Sequence, residues 1–320
     1  MRPRCLSSLL LPLALFFGLS ACSTQNAEPL DIGTNVWPGY EPGYLAEAEG
    51  LFGDAPLRMR QFTSATEVLR AFRNEAIDVA ALTLDEVLLL AQDGIDVVVI
   101  LVADISAGAD VIVARPGLAD VSALAGQRVA VENTALGAYV LARALEMNGV
   151  DPSTVEILPM TVDESVSVYQ EERADAVVTF DPFRTKLLEL GARQVFSSAE
   201  IPGEVVDVLV TRRSTLEARG PALQRLVSGW LAAIQLLETS PERAGALIGQ
   251  RLELTPEEAL ASFDGLTLPD AAQNRRLLAG TTPTLPVTAQ RLQDLLVSKG
   301  LLREPGPLDG LADGRLIPAP

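Results

Sequence analysis

Short β-branched runs alternate with helix-period segments along most of this chain, and that alternation constrains the fold most: it calls for mainly parallel sheets covered by helices. Strands are predicted at Ile32–Val36, Leu57–Phe62, Ile77–Leu82, Asp96–Ala103 and Asp110–Ala114, and helices at Tyr44–Leu51, Ala65–Asn74 and Leu84–Gln92. Ser64, with Glu67 three residues on, offers a capping box for the second of these helices. Arg115-Pro116-Gly117 breaks the pattern, and a compact second unit follows. Its predicted strands are Arg128–Val131, Val155–Met160 and Ala176–Thr179, and its helices Thr134–Asn148, Val162–Glu172 and Arg184–Leu190. A last apolar strand, Val205–Val210, leads into helices from Ser214 to about Ser298, with Pro221, Pro241, Pro256 and Pro269 near their starts. The tail Glu304–Pro320, rich in Pro and Gly, reads as a loose surface strap.

One arrangement accounts for this layout in 320 residues. Residues 31–108 and 206–320 form a discontinuous first lobe, residues 109–205 form the second, and the two crossings make a hinge with a cleft between the lobes. The alternative is a single continuous doubly wound sheet.

The first 22 residues carry a short basic start, an apolar run Leu9–Phe17 and a small-residue exit, the pattern of a signal sequence over 1–21. Its end, Leu19-Ser20-Ala21-Cys22, resembles a bacterial lipobox, which implies cleavage before Cys22 and a lipid on its thiol; the alternative is an ordinary secretory peptide with a chance cysteine. Residues 22–30 then form a short tether. Cys5 leaves with the leader, so no internal disulfide can form. The formal charge of −17 argues against nucleic acid or an anionic membrane surface as a partner of the folded part. The absence of histidine removes His-based triads, His general bases and most zinc sites.

The stretch IGTNVWPGY, Ile32–Tyr40, is a strand that delivers Asn35, Trp37 and Tyr40 to the carboxyl edge of a sheet, where ligands bind in open α/β folds. The bland reading of Trp37 is an aromatic cap under a loop. This stretch, with EVLRAFRNEAIDVAALTLDE, VADISAGADVIVARPG and LAGQRVAVENTALGAYVLARAL, resembles the solute-binding proteins of ABC importers, in the group that takes nitrate, sulfonates, taurine and thiamine pyrimidine precursors. The resemblance implies a bilobal α/β periplasmic-binding-protein fold that closes on a small solute, presents it to a membrane permease as a monomer, and needs no cofactor. Carried over by position, it implies ligand contacts from Asn35, Trp37 and Tyr40; Thr83 and Asp85; Asp104 and Ser106; Glu132, Asn133, Thr134 and Ala135; and, behind these, Tyr139, Thr179, Phe180 and Asp181.

In anion-binding relatives the turn before the second-lobe helix offers backbone N–H groups, and Thr134-Ala135-Leu136-Gly137 could do the same here. Against this, the candidate turns hold Asp85, Asp104, Glu132 and Asp181 and no Lys or Arg, so an anion would be repelled unless some of these acids are protonated or face elsewhere. Acids with Trp37, Tyr40, Tyr139 and Phe180 supply the parts of an aromatic cage, which favours a cationic, zwitterionic or neutral nitrogen-containing solute. Each acid also has a structural reading as a helix or turn cap. Arg184 and Lys186 either reach back over the cleft or face solvent. A pyrimidine-synthesising enzyme of related fold depends on a histidine that this chain lacks. A lipoprotein sensor feeding a membrane signalling enzyme is the remaining rival.

Overall fold

The computed structural model describes residues 28–132, 135–280 and 283–319; Cys22 and the expected leader lie outside them. The chain begins with β1 (Leu30–Thr34), passes through a 3-10 turn at Pro38–Tyr40 into α1 (Glu41–Ala48), and continues as β2 (Leu57–Gln61), α2 (Ala65–Arg73), β3 (Val79–Thr83), α3 (Leu84–Gln92) and β4 (Val97–Ser106). Next come β5 (Val111–Ala114), β6 (Arg128–Glu132), α4 (Ala135–Met147), β7 (Glu156–Met160), α5 (Ser165–Gln170), β8 (Ala176–Thr179), α6 (Phe183–Glu189) and β9 (Arg193–Ser197). The last part runs β10 (Val205–Arg212), α7 (Arg213–Thr239), α8 (Pro241–Leu252), α9 (Pro256–Ala261), β11 (Leu266–Thr267), α10 (Ala271–Leu278) and α11 (Leu285–Ser298).

These strands form two sheets, one per lobe. The six-stranded sheet has the order β11-β4-β10-β3-β1-β2, and the five-stranded sheet the order β7-β6-β8-β5-β9. The chain leaves the first sheet after Ser106, enters the second at Val111, leaves it after Ser197 and returns at Val205. This is a bilobal α/β fold with a two-crossing hinge, and a single continuous sheet is ruled out.

The expectation of mainly parallel sheets needs correcting. β1 is parallel to β2 and β3, and β6 to β7 and β8, but β10 is antiparallel to β3 and β4, and β5 to β8 and β9. β5 and β10 are the strands that arrive from the other lobe; the short β11, also antiparallel to β4, follows α9 within the first lobe. A chain that leaves one sheet at its cleft edge enters the next at that sheet's cleft edge, and so runs against the strands that end there.

Local signals explain most element starts. Ser64 caps α2, accepting the Glu67 N–H at 3.3 Å, and Thr255 and Asp270 cap α9 and α10 in the same way. β3 is buried at every residue and β10 at all but Arg212, as expected for central strands covered on both faces. Among the described residues the tail is not a loose strap. Val99 N–H donates to Leu311 O at 2.7 Å and Asp313 N–H to Val99 O at 3.0 Å, so the tail extends the edge beside β4 and buries Leu311 and Leu316. No helix among the described residues is long and apolar enough to cross a membrane.

Candidate functional site

Strand ends from both lobes converge on one gap. β1 gives out at Thr34, and the turn beyond it carries Asn35, Trp37 and Tyr40, all buried. This turn lies directly against Asp104 near the end of β4: a Cβ on Gly39 would stand 1.8 Å from Asp104 Oδ2, so only glycine allows the approach. Trp37 Nε1 donates to Asp104 Oδ2 at 2.9 Å, and the Tyr40 hydroxyl donates to Asp207 Oδ1 on β10. Asp104 and Asp207 are register partners on adjacent antiparallel strands, a placement that repels unless a proton is held there. At the end of β3, Thr83 N–H donates to Glu86 Oε2 at 3.1 Å, closing the first turn of α3 with Asp85 beside it.

The second lobe contributes Asp110 just before β5, Glu132 at the end of β6, Leu136 in the first turn of α4, and Thr179 and Phe180 where β8 ends. Phe180 meets Trp37 edge to face, with ring centroids 4.9 Å apart and planes at 89°, so an aromatic contact bridges the gap. Two adjoining cavities of about 20 Å³ each remain. The first is lined by Asn35, Trp37, Tyr40, Thr83, Glu86 and Asp207 with Glu132, Leu136 and Phe180; the second by Asp110, Val140, Val162 and Thr179 with the same Glu132, Leu136 and Phe180.

The charge in this gap is one-sided. Asp85, Glu86, Asp104, Asp110, Glu132 and Asp207 are each no more than 8% exposed, and each keeps one carboxylate oxygen without a hydrogen-bond partner among the described residues; Asp85 and Asp104 line neither cavity. Among the described residues no Lys or Arg lines either cavity. Elsewhere the fold treats a buried acid differently: Glu41, 1% exposed, is clamped by the Arg251 guanidinium. In the gap, burial pushes the carboxyl of Asp85 up to about 6, those of Asp110 and Glu132 to about 7, and that of Asp104 to about 8. Glu86 is raised well beyond the ordinary range by burial and then by the charges of Asp85 and Glu132, and Asp207 by burial and then by Asp104. Such a set retains protons or takes up positive charge from a bound molecule.

Three residues expected at the cleft point elsewhere. Tyr139 sends its hydroxyl to Glu204, which also accepts from Arg143 Nε at 2.8 Å, and it lines a separate groove of about 410 Å³ against α11. Asp181 Oδ1 accepts from Thr185 N–H at 3.0 Å and from its hydroxyl at 2.7 Å, capping α6 instead of facing the cavities. Ser106 shares a 2.7 Å hydrogen bond with Ser198, whose Oγ also accepts from Gly108 N–H at 2.7 Å, so these serines tie the two crossings together. Asn133 and Thr134 lie outside the described residues, and Ala135 opens α4. Arg184 donates to Gly108 O at 3.4 Å and Lys186 lines a groove with Glu253 and Glu258, so neither lines the acidic gap. The structure also adds Glu86, Asp110 and Asp207. An acid inside an apolar run, as in Val205-Val206-Asp207-Val208, is the signal by which the last could be found.

A model of the NMT1-like family matches residues 23–249. No curated protein matches the sequence. Among solved structures, the alkanesulfonate-binding protein SsuA from Xanthomonas axonopodis pv. citri, bound to MOPS, is similar with a TM-score of 0.75 at 19% identity, covering 88% of this chain and 98% of its own. The periplasmic aliphatic sulphonate binding protein SsuA from Escherichia coli gives 0.73 at 18% identity, covering 89% and 97%. The desulfurization enzyme DszB also shares the fold, at a TM-score of 0.67 and 16% identity, covering 90% and 97%. At these identities the likeness speaks for the fold.

Proposed function

The chain belongs to the NMT1-like family, and from that premise we propose that it is the extracytoplasmic solute-binding lipoprotein of an ABC importer, closing its lobes on a small nitrogen-bearing solute for delivery to a permease. The anchor is the lipidated Cys22, the lobes divide near residues 109 and 205, and the chain works as a monomer without catalysing a reaction. Asn35, Trp37, Tyr40, Thr83, Asp85, Asp104, Glu132 and Thr179 contact the solute, joined by Glu86, Asp110, Phe180 and Asp207.

The observation that carries this reading is the pairing of Trp37 and Phe180 across a gap walled by buried, incompletely bonded carboxylates with no basic residue among its described lining. A cation or N–H-rich solute supplies the missing donors and gains roughly 0.5–2 kcal/mol over an aromatic face. A sulfonate, the ligand class in the names of two similar structures, would meet repulsion at every one of these carboxyls that ionises and would bind only with them kept protonated.

Thermal unfolding with amines, betaines, pyrimidines, amino acids, sulfonates and nitrate tests the reading. A ligand at a hundred times its dissociation constant adds about 2.7 kcal/mol, a shift of several degrees. Stabilisation by amines or pyrimidines and not by sulfonates is expected, with loss of the effect in Trp37→Ala. Stabilisation by sulfonate or nitrate alone would refute the charge argument.

A further inference from the structure

We propose that the solute of this cleft is an organic dication, with one charged nitrogen seated beside Glu86 and Asp207 and the other beside Asp110, and with Glu132 between them. The inference rests on the reading of the gap as a solute site.

The geometry supplies two compartments. Both small cavities share Glu132, Leu136 and Phe180 in their linings, and each also has acids the other lacks: Glu86 and Asp207 in the first, Asp110 in the second. All four acids bring an oxygen that has no hydrogen-bond partner among the described residues and is cut off from solvent. Each cavity, at about 20 Å³, accepts one water-sized group, which is the size of an ammonium head. An ammonium carries three N–H donors and no acceptor, so it matches a compartment whose open positions are all acceptors.

A single positive charge serves only one compartment. With a monocation in the first, Asp110 in the second remains buried, with Ser106 its nearest hydrogen-bonding support and the Asp85 charge raising it further. Two charges joined by a short apolar chain compensate both, and the chain passes Leu136 and Phe180, the apolar part of the shared wall. Among the described residues no three or more of these acids are grouped as a metal-binding set, which turns the choice towards an organic cation.

Calorimetric titration of the purified protein with 1,3-diaminopropane, 1,4-diaminobutane and 1,5-diaminopentane tests this. The comparison ligands are butylamine, N-acetyl-1,4-diaminobutane, taurine, nitrate, an aminopyrimidine and magnesium ion. The best diamine is expected to bind about tenfold tighter, or more, than butylamine or its own N-acetyl derivative, tenfold corresponding to roughly 1.4 kcal/mol. Asp110→Asn should shrink that ratio towards one, its fold checked by its own melting curve; the N-acetyl comparison needs no variant. Equal affinity for butylamine and the best diamine overturns the proposal. So does binding by only an anion, a neutral pyrimidine or magnesium; an organic solute or nitrate there leaves the solute-binding reading standing without the dication. If no ligand of any class binds, both fall.

Discussion

Replacing Asp207 by Asn removes one member of the cross-strand acid pair while keeping an oxygen for the Tyr40 hydroxyl. The effect on stability should depend on pH with a definite sign. Asp207 has an ordinary value of 3.8 and is held well above it in the fold by burial and then by Asp104. A group raised in this way contributes stability that is fully present below its unfolded value and is lost as pH rises towards the folded one. Each proton that the native state keeps and the unfolded chain releases lowers the unfolding free energy by about 1.4 kcal/mol per pH unit. Asp207→Asn deletes one such proton. The variant should therefore match the wild type near pH 4 and gain on it as pH rises above that, with a limiting slope of about 1.4 kcal/mol per pH unit. Urea unfolding at whole pH steps from 4 to 8 measures the difference directly. If the variant is less stable than the wild type at pH 7, or its advantage does not change with pH, then Asp207 is not a buried, proton-retaining group and the account of the gap fails. The sign also separates Asp207 from carboxylates such as Asp31 and Asp175, which are lowered by their arginine partners and make acid the destabilising condition.

Two further outcomes follow from contacts already described. Gly39→Ala puts a methyl 1.8 Å from Asp104 Oδ2 and against Trp37 Nε1, so it should cost about 1–3 kcal/mol and displace the Trp37 turn, read as a lower melting temperature and altered tryptophan fluorescence. Arg251→Ala strips Glu41 of its clamp and should cost about 3–5 kcal/mol at pH 8, less at pH 5 where Glu41 can protonate; adding Glu41→Gln should recover much of the loss in a melting experiment.

The legible parts of this fold were those written in local pattern. Leu84–Gln92 and Ala176–Thr179 were bounded to the residue, because a capping turn or a short β-branched run marks each end. Trp37 and Tyr40 were legible as cleft residues because a strand followed at once by a turn must project them from a sheet edge. β9 was not foreseen, since Arg193-Gln194 at its start carries no strand signal and its place comes from pairing with β5. Side-chain direction was the weaker half. Asp181 and Asp110 both neighbour strands in the second lobe, yet Thr185 draws the first to α6 while the second faces a cavity, and no local pattern distinguishes them. Asp207 was hidden by its neighbours, whose apolar character made the segment read as plain core. The direction of β5 and β10 depends on which lobe the chain arrives from, which is a property of the whole path.

The position of β10 also imposes an order of assembly. This strand lies between β3 and β4, joining the pair β4 and β11 to the group β1, β2 and β3, and it begins only at Val205. The strands of the second lobe are all contained between Val111 and Ser197, so that sheet can be completed from an uninterrupted piece of chain. The first lobe, although its opening strand comes first in synthesis, must wait with an unjoined sheet until its neighbour has passed through. The chain's earliest strand finds both its neighbours, β2 and β3, nearby in sequence, whereas joining that group to β4 and β11 through β10 closes a loop that contains the whole second lobe, a contact slow by its loop entropy.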